Sequence, residues 1–250
     1  MNRLPPYPLR TSFGEIIAEF YPPVRHTRRV IVLCGGMPGY PRRTELMKML
    51  ALKGFWVFNP RYRGTWESGG LMFRKPVEKD ITDILDALPK GFTDLWSGKV
   101  FRLRPSQIAL WGSSFGGAAV LLAGIDRRVN KVIAVSPLVD WLDDSDDKPL
   151  DKFIPYLKKA FGLGYRIDRK GWDRIRSGKF MSPVRQAKKM DGRKVLIIHA
   201  KDDRTCPYRS TEKFARLIGA KLVTYKKGGH GLSYTGTVNL KRIINRFLKQ

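Results

Sequence analysis

One stretch constrains this chain more than any other: Gly112-Ser113-Ser114-Phe115-Gly116-Gly117. It follows an apolar run of β-forming type, Gln107-Ile108-Ala109-Leu110-Trp111, and leads into a helix-forming one, Ala118-Ala119-Val120-Leu121-Leu122-Ala123. A G-x-S-x-G turn between a strand and a helix predicts a nucleophile elbow. The serine of such a turn sits on strained backbone, and side chains two residues before and two after it would collide with neighbouring main chain. Glycine, without a Cβ, fits those places at little cost. The turn lifts the Ser114 hydroxyl above the sheet edge and leaves the Phe115 N–H at a helix N-terminus, aimed where an oxyanion would form. A glycine-rich turn with no chemistry, or a phosphate cradle, fits the same residues, so the case for catalysis depends on partners elsewhere.

Residues 12–20 partly alternate and predict an N-terminal antiparallel strand ending at Pro22-Pro23. Arg29 to Cys34 is a continuous β-branched run, the pattern of a strand buried on both faces, and Phe55-Trp56-Val57-Phe58 is another. Ile108 to Trp111, Lys131 to Val135, Val195 to His199 and Lys221 to Tyr225 continue the series, with helical periodicity over Thr44 to Lys53, Val77 to Leu88, Tyr208 to Ile218 and Gly236 to Leu248. Strands alternating with helices predict an α/β fold, a mostly parallel sheet with helices on both faces, in a single domain over residues 1–250. Between Pro137 and Pro183 the rhythm breaks into an aromatic, charged segment without a strand pattern. Residues 138–182 are expected to fold over the elbow as a lid, with Trp141, Phe153, Tyr156 and Trp172 binding substrate. The other use of such aromatics is to pack the insertion onto the body.

In open α/β sheets, function sits at the C-terminal ends of the strands. There the chain places Gly35 to Gly39, Asn59 to Thr65, Ser114, the pair Asp202-Asp203, and Gly228-Gly229-His230-Gly231. A serine, an acid and a histidine thus lie on separate loops in the order Ser…Asp…His, which is the α/β-hydrolase order. Of the three histidines, His26 sits among polar neighbours and reads as surface, and His199 ends a buried strand and reads as structural. His230 lies between glycines with no evident packing role, and is the candidate base. Asp202 and Asp203 both stand where an acid is needed, and either is also suited to capping a loop.

These loops resemble those of the α/β-hydrolase superfamily over nearly the whole chain, in particular the esterases and the catalytic domain of the prolyl oligopeptidase family. Gly35-Gly36-Met37-Pro38-Gly39 is similar to their H-G-F-P-G oxyanion loop, and Pro60-Arg61-Tyr62-Arg63-Gly64 to their Y-R-G turn. Ser136-Pro137-Leu138-Val139-Asp140-Trp141 resembles the segment opening the cap, which in that fold follows the sixth strand. His199-Ala200-Lys201-Asp202-Asp203-Arg204-Thr205-Cys206-Pro207 is similar to H-G-x-x-D-x-x-V-P, and Gly229-His230-Gly231 to the histidine loop. The resemblance implies a triad of Ser114, Asp203 and His230, with an oxyanion hole from the backbone N–H groups of Met37 and Phe115. A serine hydroxyl needs an adjacent base at neutral pH. The acid holds the imidazole tautomer and stabilises the imidazolium. Each oxyanion donor is worth about 3–4 kcal/mol. The chain departs from the pattern at Gly35, where relatives usually carry a histidine, and in small ways at Ala200 and Cys206.

The expected activity is that of a carboxylesterase acting on aryl or apolar acyl esters, because aromatic lining favours such groups. Prolyl-oligopeptidase-like cleavage of small peptides or aminoacyl amides is the alternative, and a non-catalytic binding module of the same fold is the alternative of another class. No cofactor is expected, and no metal, since no Cys/His cluster has ligand spacing. The acidic run Asp140, Asp143, Asp144, Asp146, Asp147 lacks the glycine and terminal glutamate of a calcium loop and reads as solvated. Lys+Arg of 48 against Asp+Glu of 22 gives a net charge of +26, but the basic residues are scattered rather than blocked, so no specific nucleic-acid site is expected. The first residues lack an apolar signal core and no apolar run is long enough to span a membrane, giving a cytoplasmic expectation. A Cys34–Cys206 bridge is not expected: their strands should lie three places apart, roughly 14 Å, beyond disulfide reach.

Overall fold

Successive residues of a strand face opposite layers, and in this chain both layers are apolar. The computed structural model describes residues 4–39, 43–143, 150–232 and 238–249. The strands of its main sheet are β1 (Leu9–Phe13), β2 (Ile16–Tyr21), β3 (Arg29–Cys34), β4 (Trp56–Pro60), β5 (Gln107–Ser113), β6 (Lys131–Val135), β7 (Val195–Ala200) and β8 (Lys221–Tyr225). The helices are α1 (Thr44–Leu52), α2 (Val77–Ala87), α3 (Phe115–Ala123), α4 (Leu150–Phe161), α5 (Arg169–Arg176), α6 (Pro183–Gln186), α7 (Tyr208–Ile218) and α8 (Val238–Lys249). From β3 and β5, Val30, Val32, Ile108 and Leu110 join one core with α2, α3, α7 and residues of α4 and α5. Their neighbours Ile31, Leu33, Ala109 and Trp111 join the other core, with Met47 and Leu50 of α1 and Leu240, Ile244 and Phe247 of α8.

The strand order is β1-β2-β4-β3-β5-β6-β7-β8. β1 and β2 pair antiparallel, as do β2 and β4, and the remaining pairs are parallel. Cys34 pairs with Gly112, and Ser113 with Val135, so the loops after β3, β5 and β6 leave the sheet at one level.

The strand expected over residues 12–20 is instead the β1/β2 hairpin: Gly14 takes a φ of +60° and turns the chain within that stretch. The buried positions switch from Thr11 and Phe13 to Ile16, Ala18 and Phe20 across the turn, a change of phase that the partial alternation of the sequence does not make plain. A two-residue hairpin, Phe92–Thr93 with Val100–Phe101, is also not evident from the sequence. Residues 138–182 follow β6, the sixth strand, and their described part carries α4 and α5 joined by irregular stretches. Residues 162–168 are stitched to the loop after β4. Arg166 donates to the Trp66 carbonyl at 2.9 Å and to that of Ser68, and the Met72 N–H bonds the Arg166 carbonyl at 2.9 Å. Cys34 and Cys206 are both buried and not joined in a disulfide, on β3 and just after β7, three places apart in the sheet. Of the acidic run, Asp144, Asp146 and Asp147 lie outside the described residues, whereas Asp140 accepts from the Leu142 N–H at 3.1 Å.

Candidate active site

Ser114 stands between β5 and α3 with a φ of 56° and ψ of −123°, a strained conformation for a side-chain-bearing residue. The glycines around it are sterically required. A Cβ on Gly112 would collide with the Gly116 carbonyl, and one on Gly116 with the carbonyls of Cys34 and Gly35. The turn is held by the Ser114 N–H on the Val135 carbonyl at 3.0 Å, and by the Ser114 carbonyl accepting from Gly117 at 2.9 Å and Leu138 at 3.1 Å. Across the rim, Gly36 leaves space for the serine, since a Cβ there would lie 3.2 Å from Ser114 Cβ.

Asp203, buried in the loop after β7, meets two histidines. Its carboxylate lies 2.9 Å from His230 Nδ1 and 2.9 Å from His199 Nε2, and accepts from the N–H groups of Thr205 and Cys206 at 2.9 Å each. Burial raises its pKa, but the donors on His199, His230 and Cys206 outweigh this and hold the carboxyl well below the ordinary range. His230 must donate from Nδ1, which leaves Nε2 as the basic nitrogen. His199 is fully buried, as expected of a core residue. Its Nε2 also lies 3.1 Å from the Cys206 carbonyl, and because both neighbours are acceptors that nitrogen carries the proton. The exposed Asp202 accepts instead from the N–H groups of Gly228 at 3.2 Å and Gly229 at 2.8 Å, fastening the loop that presents His230. These donors lower its pKa, Gly229 most. His26 is exposed. Ser114 Oγ makes no hydrogen bond to His230 among the described residues. In ligand-free sites such contacts are often long and tighten with substrate.

The N–H groups of Met37 and Phe115 donate to no acceptor among the described residues, so both are available to an oxyanion. The Met37 loop is pinned at each end by a phenol. Tyr62 donates to the Gly35 carbonyl at 2.9 Å, while Tyr165 accepts from the Gly39 N–H at 2.8 Å and Trp66 donates to the Gly39 carbonyl at 3.2 Å. Trp141 is buried 6.0 Å from the Phe115 ring, and Phe153 is also buried. Trp172 is half-buried and Tyr156 exposed. An open pocket of about 810 Å³ is bordered by His230, Ser113, Arg43 and Trp111, and none of those four lid aromatics lines it. Among the described residues no group of three or more His, Cys, Asp and Glu is placed to hold a metal ion.

Sequence reasoning missed Arg43, the second bonding role of His199 and the brace on Tyr165, whereas loop capping was one of the two uses expected of Asp202. Only the fixed spacing of His199 to Asp203 in the resembled motif hinted at any of them.

The strand order, the helical crossovers and the elbow define the α/β-hydrolase fold. Among such proteins, the chain belongs to the prolyl oligopeptidase family, whose model matches residues 43–250. It is 28% identical to the human protein ABHD12B over 179 residues, 68% of this chain and 44% of that protein. In structure it is similar to the acylaminoacyl peptidase of Pyrococcus horikoshii, with a TM-score of 0.71 at 20% identity, covering 100% of this chain and 42% of that one. It is also similar to a Pyrococcus furiosus esterase, with a TM-score of 0.68 at 15% identity, covering 97% of this chain and 90% of that one. The chain therefore spans less than half the length of ABHD12B and of the peptidase.

Proposed function

We propose that this chain is a serine hydrolase that cleaves carboxylic esters with aryl or apolar acyl groups. The observation that carries the reading is the buried Asp203 carboxylate at 2.9 Å from His230 Nδ1, on the same sheet rim as the strained Ser114 turn. In this reading His230 Nε2 takes the Ser114 proton as Oγ attacks the ester carbonyl. The N–H groups of Met37 and Phe115 hold the oxyanion, and Asp203 stabilises the imidazolium. The imidazolium then protonates the departing alcohol or phenol, leaving an acyl group on Ser114. Water, deprotonated by His230, releases the acid and restores the serine.

Residues 1–250 act as one domain in this proposal. Residues 138–182 serve as a lid that brings Trp141 near the acyl-enzyme and shields it with Phe153, Tyr156 and Trp172. The chain is nearly coextensive with the Pyrococcus furiosus esterase, which favours ester cleavage. Membership of the prolyl oligopeptidase family favours a second reading, hydrolysis of small peptides or aminoacyl amides. Among the described residues no helix is long and apolar enough to cross a membrane.

The test compares an aryl ester, the matching anilide and an aminoacyl anilide on one preparation, beside Ser114→Ala. The ester should turn over fastest, and Ser114→Ala should abolish it. Faster aminoacyl anilide cleavage would move the assignment to a peptidase. A folded chain inert to all three would be a binding module.

A further inference from the structure

The pocket beside His230 contains a charge that the reaction above does not use. Arg43, just before α1, donates from its guanidinium to Ser113 Oγ at 3.0 Å and lies within electrostatic reach of Cys34 and Tyr62. Neither is an anion at neutral pH: burial pushes the Cys34 thiol up to about 12 and the Tyr62 hydroxyl well above its ordinary value. The acids of the neighbouring loops are engaged elsewhere, Asp80 and Asp83 with Arg63, Glu19 and Glu67 with Arg61, and Asp203 with the histidines. Glu45 borders the same pocket from the exposed first turn of α1 and forms no ion pair with Arg43. Among the described residues Arg43 has no carboxylate partner. Burial lowers its pKa, yet a guanidinium stays charged at neutral pH.

A partly desolvated cation without a counter-ion is costly, and an anion accepting a pair of parallel N–H bonds relieves that cost. The remaining walls are largely apolar, with Leu46, Trp111, Val135, Leu232 and Leu240, and about 810 Å³ suits a small organic molecule. Building on the hydrolase reading, we propose that Arg43 is a specificity residue: it takes the carboxylate of an ester or amide substrate whose body is otherwise apolar. His230 borders the same pocket, so that carboxylate belongs to either the acyl or the leaving-group portion. In both cases the cleavage chemistry is unchanged.

The experiment measures kcat/KM for two matched pairs with the wild type, Arg43→Gln, Arg43→Lys and Arg169→Gln. The acyl-side pair is p-nitrophenyl hexanoate and the p-nitrophenyl half-ester of adipate. The leaving-group pair is phenyl butyrate and 4-carboxyphenyl butyrate. The wild type should favour the anionic member of one pair, and Arg43→Gln should lower that preference by about tenfold. Arg43→Lys should fall between, because it keeps the charge and loses the planar fork. Arg169→Gln removes the same charge from a side chain 94% exposed on α5, and should leave both ratios as they were. Ratios unmoved by Arg43→Gln, or lowered equally by Arg169→Gln, would overturn the proposal. The uncharged esters report the hydrolase reading separately. If the wild type cleaves neither, adipate binding followed through tryptophan fluorescence decides: weaker binding by Arg43→Gln or Arg43→Lys supports the anion site, and unchanged binding overturns it.

Discussion

Asp203 holds two imidazoles at once, and this sets how the site responds to pH. Its folded pKa lies below the unfolded value, so the carboxylate contributes stability above about pH 4 that is lost as pH falls further. The carboxylate is therefore ionised at neutral pH. In the proposed mechanism His199 is a positioning residue that donates to this carboxylate. In His199→Leu the carboxylate loses that N–H donor, so its folded pKa should move back toward the ordinary range, and the stability that the wild type loses below about pH 4 should shrink. The substitution should also cost about 1–3 kcal/mol of stability at neutral pH. A purely packing role for His199 would lower stability and leave that pH dependence in place. Ser114, Asp203 and His230 are legible in the sequence because each lies in a short motif whose chemistry demands that residue type. Arg43 and the bonding of His199 are not, because their roles arise from contacts between loops distant in sequence.

Among the elements, the segment joining α4 to α5 has the most direct hold on the site. Tyr165 reaches from it to Gly39, so residues outside the body of the sheet help fix the loop that presents the Met37 N–H. Tyr165→Phe keeps the ring and removes both bonds to Gly39. We expect kcat to fall by about tenfold, roughly 1.4 kcal/mol, with little change in KM, because the oxyanion exists only beyond the ground state. A change confined to KM would make Tyr165 a binding residue instead. The buried strands are legible because each is apolar on both faces, which leaves few alternatives. The hairpin at residues 9–21 reads as one strand in the sequence because apolar and polar residues are interspersed on both sides of Gly14, although the buried positions shift from Thr11 and Phe13 to Ile16, Ala18 and Phe20 across the turn. The attachment of residues 162–168 is invisible there because it uses backbone carbonyls, which carry no sequence signature.

At the scale of the whole molecule, the net charge of +26 is a field rather than a site. It attracts anions broadly and is screened by salt, whereas Arg43 acts at one place, and the two separate by comparing Arg43→Gln with Arg169→Gln. Both matter only if the sheet brings the elbow hydroxyl, the imidazole of residue 230 and the carboxylate of residue 203 together as a working nucleophile. Intact-mass analysis and peptide mapping after treatment with a fluorophosphonate address that assembly without assuming a substrate. One adduct is expected, on Ser114, absent from Ser114→Ala and strongly slowed in His230→Ala. A folded wild-type chain that stays unlabelled, or an adduct that persists in Ser114→Ala, would rule the nucleophile out.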